Sequence, residues 1–176
     1  MVETVIEAIR INVVTEQHVV ILKEVDGSRV IPIWIGQDVA QAIALELQGA
    51  DVKRPQTHDL LRNVISEMGG AVDRIIVNDL RDSTFFALIE ITAASKSVLV
   101  DSRPSDAIAL AVRTRSPIYV EDHVIEQAGI VIPAEVVEEP ERPEQGPPDP
   151  VENERLNVFR DFVNSLDLDE PKSEKE

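Results

Sequence analysis

Cysteine is absent from the 176 residues, which removes disulfides, a thiolate nucleophile and the usual structural zinc sites at once. Imidazoles are scarce: His18, His58 and His123 are the full set, so a three-histidine zinc site would need every one of them. Aromatic side chains make up 3% of the chain, with one Trp, one Tyr and four Phe, which leaves little material for the stacking platforms of single-strand binders. No apolar run approaches the roughly 20 residues that a membrane helix needs. The opening MVETVIEAIR has neither the basic stretch nor the long apolar core of a secretory leader, so a cytoplasmic protein with no membrane contact is expected. Basic charge is also short, since 17 Lys and Arg face 33 Asp and Glu for a net charge of −16. Residues 1 to 133 carry 12 basic against 19 acidic side chains, and residues 134 to 176 carry 5 against 14. That balance excludes a broad basic footprint for nucleic acid, so any phosphate recognition has to be local or metal-mediated.

What is present is β-branched and periodic. Val5 to Val14 and Val19 to Val25 read as strands, and the Asp26-Gly27 turn links the second to VIPIWI, which predicts a three-stranded meander. Pro32 inside the third run places it at an edge or a bulge. After Gly36, the spacing of Val39, Ala40, Ile43, Ala44 and Leu47 predicts a helix that stops at Gly49. Thr57 is a candidate cap for a second helix with Leu60, Leu61, Val64, Ile65 and Met68 as its buried stripe. VDRIIVNDL, TFFALIEIT and SVLVDS then read as three strands, followed by a helix from Pro104 to about Arg113, the short strand PIYVE and a short helix over 122–128 ended by Gly129. Trp34, beside Gly36, reads as core or oligomer interface. The expected fold is α+β, a mixed β-sheet with helices packed on it, because meanders demand antiparallel pairs while helical crossovers allow parallel ones.

Composition changes at Pro133. Residues 1–133 form the expected domain, and 134–150 pack Pro and Glu together as a flexible linker that buries no apolar surface. Residues 151–168 predict a C-terminal amphipathic helix, with Leu156, Phe159, Val163 and Leu166 at helical spacing as a docking stripe for a protein partner or for the domain itself. Residues 169–176 form an acidic, disordered tail in this reading.

Two stretches raise a chemical question: DSRPSDAIALAVR, from Asp101 to Arg113, and its echo RPQTHDLLR, from Arg54 to Arg62. Proline at a helix start is expected, because its missing N–H had no partner there. Asp106 and Asp59 suit the positive end of the helix dipole. Arg103 and Arg54 do not, so something must offset their charge. Either Arg103 forks onto Asp101, Asp106 or another carboxylate to lock the corner, or guanidinium and helix N–H groups converge on a phosphate. The clusters Lys53, Arg54, Arg62 and Arg113, Arg115 otherwise read as solvated surface.

IPIWIG, RPQTHDLL, DSTFFALIEI, DSRPSDAIALAVR and PIYVEDHVIEQAG, in that order and over roughly residues 3 to 133, resemble the bifunctional nuclease domain family of bacteria and plants. The resemblance implies a compact α+β domain, usually oligomeric and here expected as a homodimer, with low-specificity DNase and RNase activity. Relatives also often end in a short helical tail. Where the family shows Gly and Tyr in a DGTFYA segment, this chain has Ser83 and Phe86, and the lost phenol removes one hydrogen-bond or proton donor.

Metal-assisted phosphodiester hydrolysis needs carboxylates around a hard cation such as Mg²⁺ or Mn²⁺ and a cation for the phosphate. The expected set is Asp59, Asp101 and Asp106 for metal, with Asp79 and Asp82 as further carboxylates. Arg54 and Arg103 would hold phosphate, and His58, Asp59 and Asp106 would carry the chemistry, with His58 moving a proton. The rival reading is a non-catalytic oligomeric module that offers these corners to an anionic ligand, or its tail to a protein partner.

Overall fold

The computed structural model describes residues 1–12 and 16–131. Eight strands and four helices follow in the order β1 (Val2–Ile11), β2 (His18–Glu24), β3 (Arg29–Ile35), α1 (Gln37–Leu47), α2 (Thr57–Glu67), β4 (Gly70–Arg81), β5 (Thr84–Ala93), β6 (Lys96–Ser102), α3 (Pro104–Thr114), β7 (Ile118–Val120), α4 (Asp122–Ala128) and β8 (Ile130–Val131). The expected α+β architecture is present. The linker, the C-terminal helix with Leu156, Phe159, Val163 and Leu166, and the tail lie outside the described residues. Among the described residues no helix is long and apolar enough to cross a membrane.

All the strands join one sheet in the order β6-β5-β4-β7-β1-β2-β3-β8. β1, β2 and β3 form one antiparallel meander, and β4, β5 and β6 form another. β7 lies between them, antiparallel to β1 and parallel to β4. β8 pairs only with Arg29 and Val30 of β3, so Pro32 stands where that strand is in effect an edge and its missing N–H costs no ladder bond. The second meander turns tightly at Asp82-Ser83 and Ala94-Ser95, all four residues having positive φ. That is the geometry of a two-residue hairpin turn matched to strand twist. Ser83 holds φ 60°, in a region where the glycine of the resembling sequences is unstrained.

The core forms where the apolar face of each meander meets α3. Val20, Leu22, Ile31, Ile75, Val77, Ile108 and Leu110 are fully buried, and each such side chain contributes about 1.5–3 kcal/mol by leaving water. α3 is covered almost all round, and its alanines 107, 109 and 111 let neighbouring elements approach closely.

Helix α2 departs from expectation in two ways. Gln56, not Thr57, is its N-cap, and the carboxylate of Asp59 accepts from the Gln56 N–H at 2.8 Å. The buried residues are His58 and Asp59, whereas Leu60, Leu61, Val64 and Met68 are exposed and Ile65 is half-buried. α2 packs its polar first turn inward because charged partners wait there. Trp34 is likewise exposed, on the strand face opposite that of Ile31 and Ile33.

Candidate functional site

Two helix starts meet at one carboxylate. Arg103 is the N-cap of α3, extended at φ −67° and ψ 141°, and Pro104 opens the helix. Three residues on, Asp106 points back. Arg103 donates from Nε to Oδ2 of Asp106 at 2.6 Å and from Nη2 to Oδ1 at 3.1 Å, a two-pronged grip. From α2, His58 brings its Nε2 to 3.3 Å from the same Oδ1. Burial pushes the Asp106 carboxyl up, but Arg103 and His58 together hold it below the usual carboxylate range. Of the two explanations for Arg103, the ion pair is what the fold contains. The pair leaves Nη1 of an exposed guanidinium uncommitted.

Arg103 also forms part of the wall of a cleft of about 580 Å³, with His18, Trp34, Ser83, Thr84 and Phe85. Glu16 is the one carboxylate in that wall, and the first residues of α1 and α3 border it. His58 is not part of that wall; it is buried on α2, where it reaches Asp106 of α3.

Asp59 stands apart from the site that the sequence reading assigned it. Its Oδ1 accepts from Nε of Arg113 at 2.8 Å while its Oδ2 accepts from the Gln56 N–H. Arg113 donates further to the carbonyl oxygens of Ala109 and Ala42 and to Oε1 of Gln56. One guanidinium therefore ties α1, α2 and α3 together from inside, and Arg113 is no surface charge. Burial raises the Asp59 carboxyl, yet the Gln56 N–H and Arg113 hold it net below its ordinary value. Each oxygen accepts a hydrogen bond and the side chain is buried, so Asp59 serves in the fold as the internal partner of Arg113. Asp101 is exposed on β6 opposite Leu88. Among the described residues no three His, Asp or Glu side chains are placed to hold a metal ion, so Asp59, Asp101 and Asp106 do not assemble into the expected cage. Asp79 sits elsewhere, paired with Arg81 at 2.8 Å and 3.6 Å from His123, and Asp82 occupies the β4–β5 turn. Arg54 is exposed ahead of α2 and makes no hydrogen bond or ion pair among the described residues. The two Arg-Pro corners are joined by His58 and Asp106, not by their arginines. Phe86 packs under Arg81, whose guanidinium carbon lies 4.2 Å from the ring centre.

The model of the bifunctional nuclease domain matches residues 20–133. An uncharacterised protein of Mycobacterium tuberculosis is 38% identical over 171 residues, 97% of this chain and 98% of that protein. Bifunctional nuclease 1 of Arabidopsis thaliana is 28% identical over 115 residues, and bifunctional nuclease 2 of Oryza sativa subsp. japonica is 27% identical over 118. Those matches cover 63% and 65% of this chain but only 35% and 36% of the plant proteins. On the domain match and the near full-length mycobacterial relative, the chain belongs to the bifunctional nuclease domain family.

Proposed function

We propose that this domain binds nucleic acid, DNA or RNA, through its phosphates and cleaves it with low sequence specificity at the corner where Arg103, Asp106 and His58 meet beside the cleft. The observation that carries this reading is Asp106 gripped by Arg103 on one side and His58 on the other, with Arg103 itself lining a cavity large enough for a small ligand. Asp106 fixes the fork of Arg103, so its free Nη1 edge meets a phosphate oxygen already oriented. In the neutral ring, a carboxylate at Nε2 selects the tautomer protonated there and leaves Nδ1 of His58 with the lone pair that accepts a proton. Mg²⁺ or Mn²⁺, which the family resemblance implies, finds no fitting set of ligands among the described residues, because Asp59 is turned inward onto Arg113 and Gln56 and no three-ligand group forms there. The chain's own groups therefore carry the chemistry in this reading. A cytoplasmic location belongs to this reading.

The test is cleavage of fluorescent single-stranded DNA and RNA by the full chain, with Mg²⁺, with Mn²⁺ and with chelator. The Arg103→Ala/Asp106→Ala variant, shown folded by circular dichroism, is run beside it. Wild-type cleavage that falls about 100-fold in the variant, the scale of a lost acid–base and positioning group, supports the reading. Equal cleavage by both proteins overturns it. The non-catalytic anion clamp is favoured by the same neutralised carboxylates, and binding without cleavage in either protein would establish it.

A further inference from the structure

The sheet has two edges, and they are unequal. At one, β8 is two residues long and covers only the start of β3. At the other, β6 runs seven residues, Lys96–Ser102, in unbroken register with β5. Its outer row of N–H and C=O groups has no ladder partner among the described residues. Proteins blunt such an edge with proline, a bulge, a covering element or charges along the strand, because an open edge templates pairing with another chain. β6 has no proline and no register shift, and its charges, Lys96 and Asp101, stand near its two ends. Between them Val98, Leu99 and Val100 are 50%, 55% and 41% exposed. Val98 and Val100 pair with Ile91 and Ile89 and carry the core face outward, while Leu99, opposite Glu90, lies on the other face. Apolar surface therefore stands on both faces of an open edge.

We propose that β6 is the seam of a homodimer, in which two copies pair strand to strand, antiparallel, about a two-fold axis at Leu99. Charge selects the direction. Antiparallel pairing brings the Lys96 end of one copy to the Asp101 end of the other, whereas parallel pairing sets lysine by lysine and aspartate by aspartate. Symmetry selects the register. A two-fold axis perpendicular to the sheet puts one residue opposite its own copy, and only Leu99 in that place pairs all seven residues. Val98 then meets Val100, Ser97 meets Asp101 and Lys96 meets Ser102 of the second copy, with no like charges opposed. The join makes one continuous sheet and covers the exposed valines of both edges. Because β6 leads directly into Arg103, the two Arg103 corners fall about 26 Å apart along the paired strands, eight residues at roughly 3.3 Å each. The seam stands independently of whether the domain cleaves nucleic acid.

The test is the mass of the full chain in solution, by light scattering or sedimentation, for wild type, Leu99→Lys and Leu99→Glu. Leu99 is exposed in the single copy, so both variants are expected to keep the wild-type circular dichroism. Wild type is expected as a dimer. Each variant alone sets like charges face to face across the axis and weakens association by about 100-fold or more. The two variants mixed in equal amounts recover a heterodimer, because the same register now opposes unlike charges. A monomeric wild type at high micromolar concentration overturns the proposal. So does a dimer that persists undiminished in both variants, and so does a mixture that stays monomeric.

Discussion

Helix α3 carries an arginine near each end, and each donates from Nε to an aspartate at nearly the same distance, 2.6 Å for Arg103 with Asp106 and 2.8 Å for Arg113 with Asp59. The side chain of Arg103 is 74% exposed and that of Arg113 is 1% exposed. Distance therefore says little about what either pair does. Burial and the further bonds decide it. Arg113 has three more acceptors around it and water excluded, so removing it strands a carboxylate in the core. Arg103 has water on its outer side and exchanges partners at low cost, which suits a group that must receive a phosphate.

The contrast breaks most sharply at Arg113. Arg113→Ala is expected to lower stability by about 3–5 kcal/mol, the cost of leaving one member of a buried ion pair alone. Urea unfolding measures it, and a loss below about 1 kcal/mol would put Arg113 in the class of exposed pairs.

A smaller effect separates the two aspartates by pH. Both carboxyls are held below their ordinary value in the fold. A depressed carboxyl contributes stability that is present above its unfolded value, about 3.9, and is lost as pH falls through its folded value. Wild-type stability should therefore drop below about pH 4, and Asp59→Asn should flatten that drop more than Asp106→Asn, whose site is part-exposed. Urea midpoints followed down the acid limb decide it, and equal flattening would erase the distinction.

The smallest effect on the fold is expected at Arg103. Arg103→Ala should move stability by no more than about 0.5 kcal/mol. The same variant should weaken binding of a labelled single-stranded oligonucleotide and reduce the slope of log affinity against log salt by about one. Unchanged affinity with an unchanged slope would leave Arg103 as a corner lock and nothing more.

Much of this was legible in the residues. The hairpin at Asp26-Gly27, the helix start at Pro104 and the stop at Gly129 follow local rules, and at Gly129 a side chain would collide with the Ile125 carbonyl at 2.3 Å. The Arg103–Asp106 pair is three residues long and was open to inspection as one of two readings. The buried face of α2 was not. Periodicity reveals that Leu60, Leu61, Val64 and Met68 share a side, not which side meets the domain, and here the polar side does. His58 finds Asp106 across 48 residues and Arg113 finds Asp59 across 54; neither pairing has a local signature. The cleft is built the same way. His18, Trp34 and Ser83 come from separate strand ends that only the topology brings to one wall.

The three residues of β7 set a schedule for folding. Among the strands of the described residues β7 alone pairs with both meanders, and Val2 pairs with Val120. A chain leaving the ribosome completes two local meanders early, since each is built from neighbouring hairpins. α3 then packs on both, while the sheet itself stays in two halves, with the free flanks of β1 and β4 open, until β7 has been made. Closure of the sheet is a single long-range event, late in the making of the domain. That places the slowest step and the greatest exposure to aggregation in the same interval.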